Sequence, residues 1–451
     1  MNLQRFAWDR SRTTQFRSLT NWREWLGLFC LFVAALILFT INLGGVPLGI
    51  EMERTIAEVA REIAQSSPEQ WRWLFPTWQD RPYFDRSGLM PTAIALFYHF
   101  GGMNPWTTRL PGALLAALSV PLLYGVGREV FPSRLPAFLA ATIYLTFFPV
   151  LYYGRLAVLD GPVLCFSLGM MLSVLRSRRD LRWGLGVGLG LGLLMLTKSG
   201  VGLVMGAIAL LFLAWDTPRL LRSFYWWSGV GIGLMPALGW YGAQWLYYRD
   251  DLTMAAIFGQ WLMLSPLALT EHERPVWFYV GEIAKYAWPW LFFCLYGLHF
   301  AQENWNWSWA KLTLIWSGVY LLLMSLIMVK VSGSIVPIYP ALALAGGAAI
   351  TEARSRPSFR LYPHFWTLGL SIMAGVAAIA CLYLSVLRLT RGLDGGLMMS
   401  FASLGLTLGV VAILIERRDR AFIVMLFWGV YLSMLLFVSS PHWAALFELW
   451  A

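Results

Sequence analysis

Leu89-Met90-Pro91-Thr92-Ala93-Ile94-Ala95-Leu96-Phe97-Tyr98-His99-Phe100 is an apolar run whose reading orients everything that follows it. A helix that crosses a bilayer needs about 20 mostly apolar residues, because its backbone must be satisfied internally across about 30 Å of hydrocarbon. This run is too short, and it carries His99 near its end, so it is expected to lie at the interface or to re-enter. Charge supports the choice. With the run excluded from the spans, Arg128, Arg134, Arg176, Arg178, Arg179, Arg182, Arg219, Arg222, Arg354, Arg356, Arg360, Arg417, Arg418 and Arg420 fall on the same side as Arg5, Arg10, Arg12, Arg17 and Arg23. That is the distribution the positive-inside rule requires, and it makes the N-terminus cytoplasmic.

Outward from this run, hydropathy predicts an all-α polytopic membrane protein with about 13 spanning helices. They cover 26–46, 110–127, 135–152, 160–175, 183–196, 201–215, 224–247, 276–298, 312–329, 335–350, 365–387, 397–415 and 421–438. Apolar residues fill 58% of the 451 positions and charged residues 13%, against about 25% in soluble domains, which excludes a water-soluble fold. The 25 Trp and 18 Tyr suit the headgroup region, where an aromatic ring keeps its polar edge wet. A net charge of +10 raises the question of nucleic acid, but the positive residues lie in short clusters between apolar runs, and topology accounts for them. Cys30, Cys165, Cys294 and Cys381 fall inside apolar segments without paired spacing, so no disulfide framework or zinc ribbon is expected. No small-residue cleavage site follows the first apolar run, which reads as an uncleaved anchor.

The chain reads as one transmembrane domain over 1–451 with no soluble C-terminal domain. Two long loops, 47–109 and 248–275, are expected on the extracytoplasmic side, so chemistry that needs loops belongs there. In the first loop Met52, Ile56, Val59, Ala60 and Ile63 recur at helical spacing among Glu53, Arg54, Glu58, Arg61 and Glu62. This predicts an amphipathic helix flat on the membrane surface, with Trp71, Trp73 and Trp78 anchoring the loop behind it. No nucleotide-binding glycine loop is present, so no nucleotide cofactor is expected.

Ionisable groups at the ends of spanning helices are costly unless paired or used. Asp160 stands at a helix start, where a capping carboxylate is the plainer alternative to a reactive one. Lys198, between two apolar helices, reads either as a snorkelling lysine or as an anion site. Asp85 and Arg86 are adjacent opposite charges of a kind common on surfaces. His272 is a metal ligand or an ordinary solvated histidine.

Seven segments in order resemble the aminoarabinose transferases and protein O-mannosyltransferases, membrane glycosyltransferases of the C-type fold. These are Glu51 to Glu62, Tyr83-Phe84-Asp85-Arg86-Ser87 (Tyr-Phe-Glu-Lys-Pro in the family), Arg109-Leu110-Pro111 and Ala157-Val158-Leu159-Asp160. Then come Leu196-Thr197-Lys198-Ser199, the stretch from His272 to Tyr279, and Lys330 to Pro337. Met52 stands where the family has its leading acid, and Ser334 where it has a tyrosine. The resemblance implies transfer of a sugar, with inversion, from a polyprenyl-phosphate donor to an acceptor lipid, glycan or protein at the extracytoplasmic face of the cell membrane. It implies Asp160 and Glu53 as the carboxylates that orient and deprotonate the acceptor. Arg86 and Lys198, with Arg54, Arg155, Arg274 and Lys330, would hold the donor phosphate. Asp85 and His272 would hold a divalent metal cation. Two alternatives stay open, a transporter or flippase of lipid-linked sugars and a non-catalytic relative; the first calls for acids or broken helices near mid-membrane.

Overall fold

The structure, a computed structural model, describes residues 22–83, 87–248, 274–326, 330–355, 362–391, 395–441 and 443. Within them lie helices α1 (Trp22–Thr40), α2 (Glu51–Gln65), α3 (Leu89–Gly101), α4 (Pro105–Val130), α5 (Arg134–Leu145), α6 (Phe148–Arg155), α7 (Asp160–Arg176) and α8 (Trp183–Asp216). They are followed by α9 (Phe224–Tyr248), α10 (Phe278–Tyr286), α11 (Leu291–Glu303), α12 (Ser308–Leu326), α13 (Tyr339–Ser355), α14 (His364–Arg391), α15 (Gly395–Glu416) and α16 (Ala421–Ser439). The chain is thus nearly all helix, as composition and periodicity require. One short hairpin, Thr77–Trp78 with Arg81–Pro82, interrupts the first loop. Gln79 and Asp80 form its turn at φ 53° and 58°, the left-handed pair that matches the twist of a two-residue hairpin.

The protein is a multi-pass membrane protein. Among the described residues seven helices are long and apolar enough to cross a bilayer, or eight if the bent pair α5 and α6 counts as one span. The sequence predicts 13; α1, α7 and α9 fall outside this count, and three breaks account for the rest of the gap. The expected helix over 135–152 is bent by 58° between α5 and α6, at the step into Pro149. The expected helix over 276–298 is divided into α10 and α11 around Pro289. The third is α8, whose 34 residues would reach roughly 51 Å if straight, too far for one crossing.

In α8 Lys198 has φ −147° and ψ 83°, which no helix contains. A Cβ added to Gly202 would stand 3.2 Å from the Met195 nitrogen, and one at Gly206 3.5 Å from Leu191 Cδ1. Seven residues along a straight helix would separate the first pair by about 10 Å. The element is therefore a helical hairpin that turns at Lys198, and its arms are the two helices predicted over 183–196 and 201–215.

The hairpin fixes two faces. Its ends meet at one of them, where Asp216 accepts from Arg178 Nη1 at 2.9 Å and pairs with Lys311, and where the Arg176 guanidinium lies over the Trp183 ring. Glu24 pairs there with Arg128 and Arg134, and Glu129 with Arg176 and Arg179. These are the arginines that the charge pattern gathers on one side. The opposite face carries the Lys198 turn, the start of α7 and the first loop.

The buried face of α2 corrects one expectation. Ile56 and Ala60 pack against Met90, Ile94 and Tyr98 of α3, and Val59 and Ile63 against Tyr83 and Ala95. Its apolar stripe is covered by protein, not lipid, because periodicity reports that a face is buried without saying by what. Trp78 likewise donates its indole N–H to Glu58 at 2.7 Å, whereas Trp71 and Trp73 stay about half exposed.

Helix packing relies on small residues, as expected where lipid removes the hydrophobic drive between helices. A side chain at Gly297 of α11 would run into the Ala345 carbonyl of α13, while Gly231 of α9 faces open space. Gly297→Ala is expected to cost about 1–3 kcal/mol by overpacking, seen as a lower melting temperature in detergent; Gly231→Ala is expected to leave that temperature unchanged.

Candidate active site

Asp160 is the first residue of α7, and its carboxylate does not cap the helix. The capping position is Leu159, which offers no side-chain bond, and Asp160 Oδ1 instead accepts from Lys198 Nζ at 3.1 Å. Both side chains are nearly buried, 8% and 12% exposed, so the lysine does not snorkel into open water. The helix start still favours the carboxylate through its dipole. The backbone of Gly333 comes up to this pair: a Cβ there would stand 3.2 Å from Asp160 Oδ2 and 3.1 Å from the Tyr153 ring.

The turn that presents Lys198 is held from two sides. Ser87 Oγ donates to the Leu196 carbonyl at 2.6 Å, and the Tyr241 hydroxyl to the Met195 carbonyl at 2.8 Å. On the far side of the pair, Tyr279 of α10 donates to the Val331 carbonyl and Tyr320 of α12 to the Ser334 carbonyl, which ties the 330–338 segment to those two helices.

Glu53, expected as a second carboxylate base, has another partner. It is fully buried and receives Arg109 Nε on one oxygen and Arg109 Nη2 on the other, both at 2.9 Å. The Ala157 amide also donates to it at 2.7 Å. The remaining Arg109 donors reach the carbonyls of Leu43, Val46 and Pro47, so all five N–H groups of this buried guanidinium are used. Glu53 thus ties α2 and α4 to the 157–159 segment that leads into Asp160.

The expected phosphate ligands separate in the same way. The Arg155 guanidinium is buried, donates to the Leu38 and Ile41 carbonyls at the end of α1, and stacks on Trp443 at 4.5 Å. Arg54 is exposed and bonded to the carbonyls of Leu48 and Gly49. Arg274 is exposed and lies over the Phe278 ring. Lys330 is buried at the head of the 330–338 segment. Asp85, Arg86 and His272 lie outside the described residues. Among the described residues no three His, Cys, Asp or Glu side chains are placed to share a metal ion.

Each of the seven sequence segments reaches this neighbourhood through a described contact: Glu53, Ser87, Arg109, Ala157 with Asp160, Lys198, Tyr279 and Gly333. Arg109, Tyr153 and Glu282 are the residues that the sequence reading did not single out for the site. Glu282 is buried on α10 within electrostatic range of Tyr153, which Asp160 also reaches. Its signal was present, as an acid inside an apolar stretch.

Breaking the Glu53 pair from one side leaves a buried charge uncompensated. Arg109→Ala is expected to destabilise the protein by about 3–5 kcal/mol, and Arg109→Ala with Glu53→Gln by less than the sum of the two; thermal unfolding of the four proteins in a double-mutant cycle measures it.

The family model for dolichyl-phosphate-mannose-protein mannosyltransferase matches residues 85–241. An undecaprenyl phosphate-alpha-4-amino-4-deoxy-L-arabinose arabinosyl transferase of Shewanella sediminis is 25% identical over 70% of this chain. The chain spans 59% of that relative's length. Among solved structures, ArnT from Cupriavidus metallidurans bound to undecaprenyl phosphate superposes with a TM-score of 0.72 at 21% identity, covering 93% of this chain and 78% of the other. The arabinosyltransferase EmbB from Mycobacterium smegmatis shares the fold at a TM-score of 0.52 and 14% identity, covering 99% of this chain and 44% of its own. The family match over residues 85–241, the relatives and the shared fold make this chain similar to the aminoarabinose transferases and protein O-mannosyltransferases.

Proposed function

We propose that this protein transfers a sugar from a polyprenyl-phosphate donor to an acceptor lipid, glycan or protein at the membrane border. The observation that carries the reading is the Asp160–Lys198 pair, a nearly buried acid and base at the turn of a helical hairpin where the seven segments meet. The relatives named for transfer from undecaprenyl phosphate support the donor class. The ion-paired arginines of the opposite face support placing the site on the extracytoplasmic side of the cell membrane.

Without substrate the two side chains neutralise each other in a medium where lone charges are expensive. A donor phosphate brings negative charge to Lys198 and draws it from the carboxylate. Lys198, with Arg86 and Lys330 from the flanking segments, then stabilises the charge that grows on the phosphate as the sugar–oxygen bond breaks. Asp160, relieved of its lysine, accepts the hydrogen bond of the acceptor hydroxyl and takes its proton as the oxygen attacks the anomeric carbon from the opposite side. Inversion follows from that geometry of attack. Glu53 is left as a positioning group, because its oxygens are committed to Arg109 and Ala157.

In lipid nanodiscs with a polyprenyl-phosphate-linked sugar and envelope extract as acceptor, the protein is expected to move label from the donor into a new product. Asp160→Asn is expected to lower the turnover rate by about 100-fold or more. Lys198→Ala is expected to weaken donor use by a similar factor. Equal transfer by the wild type and both folded variants would show that the pair is not the site.

A further inference from the structure

Lys198 owes its place to a break in α8, and a break releases carbonyls. With Lys198 at φ −147°, the helical ladder cannot run through it, so the carbonyls just before it lose their usual partners four residues on. In a bilayer such groups must be satisfied within the protein. Two side-chain hydroxyls from other elements meet that need: Ser87 donates to Leu196, and Tyr241 of α9 to Met195. Ser87 is 7% exposed, and its oxygen also accepts from the Leu89 amide at the start of α3. The hydroxyl therefore bridges the start of α3 and the turn of α8. Ser87 also follows Asp85 and Arg86 directly in the chain, and it stands where the resembling family motif ends in proline, which has no side-chain donor.

We infer that Ser87 and Tyr241 are positioning residues for Lys198, two hydroxyl donors that hold the α8 break in the shape that delivers the ammonium to its anionic partner. They touch no reacting atom; they set the backbone from which Lys198 reaches. The serine hydroxyl thereby couples the start of α3 to the turn that carries Lys198. This deepens the reading above and rests on it.

The test measures ligand binding without turnover. Purified wild type, Ser87→Ala, Ser87→Thr, Tyr241→Phe, the double variant Ser87→Ala/Tyr241→Phe and Lys198→Ala are titrated in nanodiscs with undecaprenyl phosphate. Ser87→Ala and Tyr241→Phe are each expected to weaken binding by about tenfold, the scale of one lost hydrogen bond. The double variant should approach Lys198→Ala, and Ser87→Thr should restore binding to near the wild-type value. Melting temperatures of the same proteins separate misplacement from unfolding, with Ser87→Thr and Ser87→Ala expected to melt alike while they bind differently. If Lys198→Ala loses binding while Ser87→Ala and Tyr241→Phe keep wild-type affinity, the positioning role is overturned and the phosphate site stands. If Lys198→Ala binds as tightly as wild type, the phosphate reading falls and this inference falls with it.

Discussion

The buried ion pair between Glu53 and Arg109 is the constraint on which the site face depends. A guanidinium inside protein at a membrane border is tolerable only when every donor is used, and here three backbone carbonyls and one carboxylate use all five. Because the carbonyls come from the chain leaving α1, the carboxylate from α2 and the guanidinium from α4, one group locks three elements. The Ala157 amide adds the segment leading into α7. Arg155 and Trp443 extend the same logic: the guanidinium caps the last carbonyls of α1 and lies on the indole, and Trp443 is also 5.6 Å from Arg109. Asn42, just past α1, closes the loop by donating to carbonyls at the end of α16.

On that frame the protein places a second acid–base pair of different character. Glu53 and Arg109 are joined by two parallel bonds and surrounded by further partners, whereas Asp160 and Lys198 share one bond between a carboxylate and a flexible ammonium. The first arrangement resists exchange, since each group lost would strand several others. The second can exchange its partner for a ligand, because a lysine is a mobile point charge on a long stem. Two pairs built from similar residues thus differ in the number of bonds each makes: one is a fastener, and the other is the pair proposed to act on substrate.

The opposite face shows a third use of charge. Glu24, Glu129 and Asp216 collect arginines and a lysine from several helix ends, and these pairs tie the bundle together where the spans leave the hydrocarbon. One end of the bundle is knitted by ion pairs, and the other holds the Asp160–Lys198 pair beside a break in a helix.

The sequence alone determined the class of fold and that Arg128, Arg134, Arg176, Arg178 and Arg179 share one face, because hydrocarbon imposes length and charge rules that can be read residue by residue. It also determined that Lys198 separates two helices and that Asp160 begins another. Only the tertiary structure decided what those charges touch. From its position Asp160 reads more plainly as a cap, and its partner Lys198 lies 38 positions away along the chain. Glu53 read as a base until Arg109, 56 positions away, proved to hold it. The stripe on α2 read as a lipid contact until α3 covered it. Periodicity and hydropathy record whether a position prefers to leave water, a property of one residue and its near neighbours. The partner that satisfies a buried charge arrives from distant sequence, and only the folded chain says which one it is.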